Sequence, residues 1–365
     1  MGFKCGLVGL PNAGKSTVFN ALTAGGAQAA SYPFCTIEPN LGTVPLPDKR
    51  LDFLKQCYQP PKAIPVFLNV VDIAGLVRGA SKGEGLGNQF LSHIHACEAL
   101  LHIVRCFEDE NVSHLEDGLD PVRDLEIVET ELLLKDLEIV ERKIEKLERE
   151  IKGNRKLIPQ LEKIKTLKEE LQRGKQARFC SQEILDIAEL SLLTTKPVLY
   201  VANLSEDYFA ENSDASNNPL VKKLKQFLDT REDRLFLICG KMEAEIAELA
   251  PSEQEEFLLE YGLSEPGLNR LIRAGYDLLG LITFFTICEK EVCSRTLVQG
   301  MTAKQAAGKI HTDMEKGFIR VEIFNIATLK EYGSEAAIRE KGLLQIEGKD
   351  YIIRDGDIAY IRFAV

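Results

Sequence analysis

Gly9-Leu10-Pro11-Asn12-Ala13-Gly14-Lys15-Ser16-Thr17 decides how the rest of the chain is read. It spells G-x-x-x-x-G-K-S, the spacing with which nucleoside-triphosphate hydrolases wrap phosphate. Residues 3–8 before it are mostly apolar and predict a buried strand, and residues 17–22 after it predict the start of a helix. Glycine lets the backbone turn tightly, so that N–H groups face an anion, and the helix N-terminus adds positive potential. Asn12, Ala13, Gly14, Lys15, Ser16 and Thr17 are therefore expected to line the phosphates. Lys15 would reach the β- and γ-phosphates, and Ser16 would offer its hydroxyl to Mg²⁺. A plain glycine turn with a solvated lysine would need neither the strand nor the helix.

Working outward, 365 residues predict two or three domains with a sizeable core. Hydrophobic residues at 45% and charged residues at 28% are those of a soluble globular protein. The nine cysteines contain no C-x-x-C pair, and the odd count suits reduced thiols in a cytoplasm. No signal peptide or membrane span is expected, and Gly6 stands where a myristoylation signal wants Ser or Thr. A formal charge of −11 excludes a generic nucleic-acid binder for the molecule as a whole.

Residues 31–40 (Ser31-Tyr32-Pro33-Phe34-Cys35-Thr36-Ile37-Glu38-Pro39-Asn40) predict a loop in which Thr36 coordinates Mg²⁺ once the γ-phosphate is present. Residues 67–71 predict a second buried strand ending at Asp72-Ile73-Ala74-Gly75. In this D-x-x-G the Asp72 carboxylate faces the Mg²⁺ shell and the Gly75 N–H bonds the γ-phosphate. Gly79, Gly83, Gly85 and Gly87 follow closely, as expected of a segment that orders on the γ-phosphate.

The stretches 9–17, 32–42 and 72–94 resemble the Obg-related P-loop proteins of the translation-factor class. Phe34-Cys35-Thr36-Ile37-Glu38-Pro39-Asn40, Val104-Arg105-Cys106-Phe107-Glu108 and Lys316-Gly317-Phe318-Ile319-Arg320 narrow the resemblance to the YchF, or Obg-like ATPase, subfamily. It runs almost end to end. The resemblance implies an α/β P-loop NTPase domain, an inserted antiparallel coiled-coil arm and a C-terminal β-grasp (TGS) domain. It also implies a slow ATPase among relatives that use GTP. The expected boundaries are residues 1–280 for the P-loop domain, 128–180 for the arm within it and 281–365 for the TGS domain.

Leu76 stands after D-x-x-G, where many GTPases carry the glutamine that orients attacking water. Leucine has no donor or acceptor, so another group must position water. Asn12 is one candidate, by helping to ligate a K⁺ beside the phosphates. His114 is the other, in the polar stretch after the predicted strand at residues 99–105, and matches the histidine to which the family's hydrolysis is attributed. His93, His95 and Cys97 have no fourth ligand in the sequence and read as ordinary helix residues.

Leu133, Leu137, Val140, Ile144, Leu147 and Ile151 are spaced 4, 3, 4, 3, 4, an unbroken a/d stripe. Gly153-Asn154 interrupts it, and Leu161, Ile164, Leu167 and Leu171 resume an apolar face, so an antiparallel hairpin is expected. Residues 135–178 carry 14 Lys/Arg against 9 Asp/Glu, an excess of +5 that leaves −16 on the rest of the chain. A basic arm on an acidic body suits RNA or an acidic partner, although charged coiled-coil faces are usually just solvated.

Residues 197–202 predict a strand ending at Asn203-Leu204-Ser205-Glu206, where GTPases have N-K-x-D with an Asp that reads guanine. Leu replaces Lys and Glu replaces Asp, which predicts adenine. The expected base site comprises Asn203, Leu204 and Glu206, with backbone groups near Leu204 and the Asn203 amide serving adenine and the Leu204 side chain packed on the ring. Cys239 and Gly240 join them after the strand at 235–238. A helix over 266–279 leads out of the domain. Strands at 283–287, 295–298, 318–323, 351–353 and 358–363 and a helix at 302–310 then suit a compact β-grasp unit.

The expected protein is a cytoplasmic, monomeric ATPase switch, with Mg²⁺ and K⁺ as a candidate second ion, working on a ribosome or ribosomal subunit and touching RNA through the arm or the TGS domain. Two alternatives stay open: an atypical GTPase of the Obg class, and a nucleotide-binding scaffold with negligible hydrolysis.

Overall fold

The strand Ala99–Arg105 is buried at all seven positions, as a parallel-sheet strand covered on both faces must be. The structure is a computed structural model and describes residues 3–24, 40–73, 92–109, 118–185, 190–208 and 217–364. Thr36, Gly75, Leu76 and His114 lie outside the described residues.

Among the described residues the strands are, in chain order, β1 (Lys4–Val8), β2 (Leu41–Pro45), β3 (Lys62–Ile64), β4 (Phe67–Asp72), β5 (Ala99–Arg105) and β6 (Val198–Asn203). They continue with β7 (Leu235–Ile238), β8 (Leu281–Ile287), β9 (Glu291–Val298), β10 (Phe318–Asn325), β11 (Gln345–Glu347) and β12 (Asp357–Phe363). The chain divides into two compact units, Met1–Val44 with Asn69–Leu271 and Pro45–Leu68 with Ile272–Val365.

The first unit holds a sheet in the order β2-β4-β1-β5-β6-β7, parallel from β4 to β7. β2 runs antiparallel at its edge, since Asp72 N donates to Asn40 O while Thr43 Oγ1 donates to Asn69 Oδ1. The carboxyl ends of β1, β4, β5, β6 and β7 share one edge, where α/β sheets hold their ligands. On one face of the sheet, Val8, Leu10, Ile73 and Leu100 pack against Ile127, Val128 and Leu132 of the helix Pro121–Glu150.

That helix starts cleanly. Asp120 Oδ1 accepts from Val122 N and Arg123 N, and Pro121 occupies the first turn. It begins seven residues before the expected arm boundary at 128, because Leu125, Val128 and Leu132 belong to the sheet's core. Beyond it, Val140, Ile144 and Leu147 bury against Ile164, Leu167 and Leu171 of the helix Ile158–Gln172. The ion pairs Lys165–Glu148 (2.8 Å) and Lys168–Glu141 (2.9 Å) show that the two helices run antiparallel. Fully buried Asp136 roots the hairpin: it accepts from Leu193 N, Thr194 N and Thr194 Oγ1 at 2.6–2.8 Å. Burial raises its pKa while those donors oppose the rise.

The second unit holds a sheet in the order β11-β10-β12-β8-β9-β3. β12 lies antiparallel to β10 and parallel to β8. Residues 45–68 differ from the expected boundaries, which assigned them to the P-loop domain. β3 pairs in parallel with β9, and Leu51 and Leu54 of the helix Lys49–Tyr58 bury against Phe285, Phe324 and Ile358. A short amphipathic helix leaves its apolar face unpaired until a core covers it, and this core is more than 200 residues away in the chain. The expected strand at 351–353 is an isolated bridge between Ile352 and Thr302, while β11 and the helices Ile326–Tyr332 and Glu335–Glu340 lie outside the expected elements.

Candidate nucleotide site

β1 ends at Val8 and the helix begins at Lys15 (Lys15–Ala24), so the six residues 9–14 form the turn between them. Two glycines are required by geometry. Gly9 has φ +150°, and a Cβ there would stand 2.4 Å from Ile103 O. Gly14 has φ +92°, and a Cβ would stand 2.1 Å from Asn203 Nδ2. Asn12, exposed at the crown of the turn, is left-handed with φ +63°, a conformation Asn tolerates better than most residues. Ala13 is buried beneath it.

Lys15 is buried, and its Nζ donates to Leu10 O at 2.8 Å. The ammonium is thus folded back onto the loop that it would share with phosphate. Burial lowers its pKa to about 8, with the Asp72 charge pulling the other way. Ser16 and Thr17, exposed, open the following helix. Ser16 Oγ donates to Asp72 Oδ2 at 3.0 Å. The second oxygen, Asp72 Oδ1, is buried without a hydrogen-bond partner. A hydroxyl beside an unsatisfied carboxylate oxygen is a hard-oxygen donor set that fits Mg²⁺. Ser16 and Asp72 are therefore brought together as the sequence requires, with Thr36 and Gly75 outside the described residues.

At the other end, Asn203 closes β6 and ties two loops. Its Nδ2 donates to Ala13 O at 3.0 Å, and its Oδ1 accepts from Gly240 N at 2.9 Å. The amide joins the phosphate loop to the loop after β7, leaving at most one amide hydrogen for a base. Leu204 corrects the sequence reading. It is 2% exposed, packed with Val104, Tyr200 and Leu224, and its N–H donates to Ile238 O. Its side chain goes into the core, since the strand's alternation carries it beneath the sheet, and the expected packing on a base ring is not made there.

Glu206 opens a single helical turn, Glu206–Tyr208, and its Oε1 lies 3.0 Å from Lys241 Nζ. Lys241 follows Gly240, the first residue of the helix Gly240–Glu248. Cys239 caps that helix from a buried position, and burial raises its thiol pKa. The carboxylate at the fourth position of Asn203-Leu204-Ser205-Glu206 thus faces a cation of the protein itself.

Two features were missed. Arg105, at the end of β5, is buried with its Nε donating to Phe107 O and its guanidinium 4.8 Å above the Phe107 ring. Tyr200, three residues before Asn203, shares its hydroxyl among Glu129, Arg178 and Arg231 beside a cavity of about 710 Å³. Arg231 holds Glu129 at 2.8 and 3.0 Å, and Arg178 holds Asp233 at 3.0 Å. The residues come from four separate segments, so no local motif announces them.

Residues 281–364 match the family model YchF-GTPase_C, described as a protein of unknown function, and residues 4–155 match MMR_HSR1, a 50S ribosome-binding GTPase. The chain is 47% identical to the "Ribosome-binding ATPase YchF" of Escherichia coli O157:H7, each covered in full. It is 44% identical to "Obg-like ATPase 1" of Gallus gallus, over 99% of this chain and 92% of that one. The solved "Structure of the Schizosaccharomyces pombe YchF GTPase" superposes with a TM-score of 0.86 at 38% identity, covering 99% of this chain and 97% of that one. The names of these relatives divide between ATPase and GTPase.

Proposed function

The chain belongs to the YchF/Obg-like ATPase family of P-loop proteins, and from that membership we propose that it is a ribosome-associated switch that binds ATP with Mg²⁺ and hydrolyses it slowly. The observation that carries ATP over GTP is the Glu206–Lys241 pair. A guanine site needs a carboxylate free to accept from N1–H and the 2-amino group. Glu206 is one methylene longer than Asp, and its Oε1 stands 3.0 Å from Lys241 Nζ as an ion pair without a hydrogen bond, so a cation of the protein competes with a base for it.

In the working cycle, a phosphate oxygen replaces Leu10 O as the acceptor for Lys15. Backbone N–H groups of residues 12–17 surround the remaining oxygens. Mg²⁺, when bound, offsets phosphate charge, held by Ser16, Thr36 and, through its shell, Asp72. Gly75 donates its N–H to the γ-phosphate. His114 orients the attacking water in place of a side chain at Leu76. Asn12 is the second reading for that role, through a K⁺ beside the phosphates.

The helical hairpin serves as a coiled-coil arm within the P-loop segment, and the C-terminal unit, with residues 45–68 added to it, as a TGS-type β-grasp module. The protein acts in the cytoplasm as a monomer, and arm or module meets ribosomal RNA. Among the described residues no helix is long and apolar enough to cross a membrane.

Turnover of γ-labelled ATP and GTP, with and without ribosomes and K⁺, tests the reading. ATP hydrolysis that ribosomes alter supports it, and GTP hydrolysed faster than ATP overturns it. His114→Ala should lower turnover by roughly 10²–10⁴-fold with ATP affinity kept. Equal turnover moves the role to Asn12.

A further inference from the structure

The arm's surplus charge is not spread along it. On the two helical limbs, residues 135–150 and 162–175, eight of the ten Lys/Arg stand within 4.0 Å of a carboxylate. Lys143 and Lys163 are the two that do not. The limbs thus neutralise themselves, and Arg178 is spent on Asp233 and Tyr200 at the root.

The turn between the limbs is different. Residues 151–161 hold Lys152, Arg155 and Lys156 and no acid at all. All three are exposed, and among the described residues none has an ion-pair partner. The turn is well formed without them. Asn154 accepts from Lys156 N at 3.2 Å, and Gly153 N donates to Glu150 O. Ile158 is 40% exposed beside the cations. Three charges that make no ion pair among the described residues are therefore held on an ordered turn at the end of the hairpin.

Position makes the charge effective. The helix Ile158–Gln172 has 15 residues, so the tip stands about 22 Å from the root of the hairpin. Screening at physiological salt decays over about 8 Å. The negative charge elsewhere in the molecule is largely screened at the tip, which presents a positive potential on a protein of net charge −11.

We propose that this tip, Lys152, Arg155 and Lys156, is a contact for the phosphate backbone of RNA. The inference rests on the ribosome-associated reading above and names the part of the molecule that makes the contact. RNA is favoured over an acidic protein because residues 151–161 carry three cations and no acid, and Ile158 is the one large apolar side chain exposed among them, fewer anchors than a protein interface uses. Backbone phosphates ask for cations and little else.

The test uses the full-length protein, purified ribosomal subunits and deproteinised ribosomal RNA. The triple variant Lys152→Gln, Arg155→Gln, Lys156→Gln should bind both about tenfold or more weakly at moderate salt. Its log K against log salt slope should be smaller by about 2, since each phosphate contact contributes roughly 0.7–0.9. Lys143→Gln with Lys163→Gln should bind like the parent, and both variants should keep the parent's turnover without ribosomes. Unchanged affinity and slope in the triple variant overturn the proposal. Loss of subunit binding with free RNA ignored by the parent also overturns it, in favour of an acidic protein. A parent that binds free RNA through the tip but ignores subunits leaves the tip standing and sinks the ribosome reading instead.

Discussion

At the phosphate end of the site, backbone conformation does the positioning: Gly9 and Gly14 sit at φ +150° and +92°, each where a Cβ would meet an atom within 2.4 Å. At the base end, side chains do it: Asn203 bridges Ala13 and Gly240, and Glu206 faces Lys241. The first kind of construction tolerates few residue types and therefore leaves a motif. The second depends on which neighbours a side chain finds, and many sequences satisfy it. Specificity for the transferred group and specificity for the base are thus written with very different legibility in one site.

The largest effect expected from breaking the phosphate end is Lys15→Ala. Lys15 is buried and bonded within the loop, so its loss removes a charged donor from a desolvated place. Charge-assisted bonds to two phosphates are together worth about 3 kcal/mol, or roughly a hundredfold in Kd. Isothermal titration with ATP should read that loss, while circular dichroism shows the fold retained. Unchanged affinity would remove the nucleotide from this loop.

How much was legible follows the same division. Residues 9–17, Asp72 and the edge formed by β1, β4 and β6 follow from spacing, because one residue's shift would break the turn. Leu204 was misread because a motif position says nothing about which way a strand's end turns its side chain, and this one is buried in the core. The helix Lys49–Tyr58 was missed because its apolar face is completed by residues 285–358. The Glu129–Tyr200–Arg231 cluster is the extreme case, since ion pairs across 102 residues leave no periodicity. In the hairpin, the a/d stripe gave the packed face, yet the net charge alone hid its concentration at residues 152–156.

A pH titration sharpens the comparison with a smaller effect. Lys15 has its pKa lowered to about 8 by burial in the nucleotide-free protein. Bound phosphate favours the ammonium and lifts that pKa again. Above pH 8 the free protein has lost a proton that the complex still holds, so binding takes up as much as one proton. ATP affinity should be flat from pH 7 to about 8 and then fall, approaching tenfold per pH unit. Lys15→Ala should bind weakly with no such fall. A parent profile that stays flat to pH 9.5 would mean that Lys15 is charged before nucleotide arrives.

The smallest effect concerns the base end and is the sharpest test of how it chooses. Lys241 is 72% exposed on its side chain and Glu206 38%, and exposed pairs contribute about 0.2–1 kcal/mol. Lys241→Ala should free the Glu206 carboxylate to accept from guanine. GTP affinity should then rise by no more than about fivefold relative to ATP. Glu206→Ala should leave ATP binding as it is, because adenine offers no pair of donors to a carboxylate. Matched titrations of both nucleotides under fixed Mg²⁺ and K⁺ separate this from the opposite arrangement. If Glu206 already read guanine despite its partner, Glu206→Ala would collapse GTP binding and Lys241→Ala would change little. The base end would then be a guanine site built on a longer carboxylate, and the Glu206–Lys241 pair would steady that carboxylate instead of withholding it.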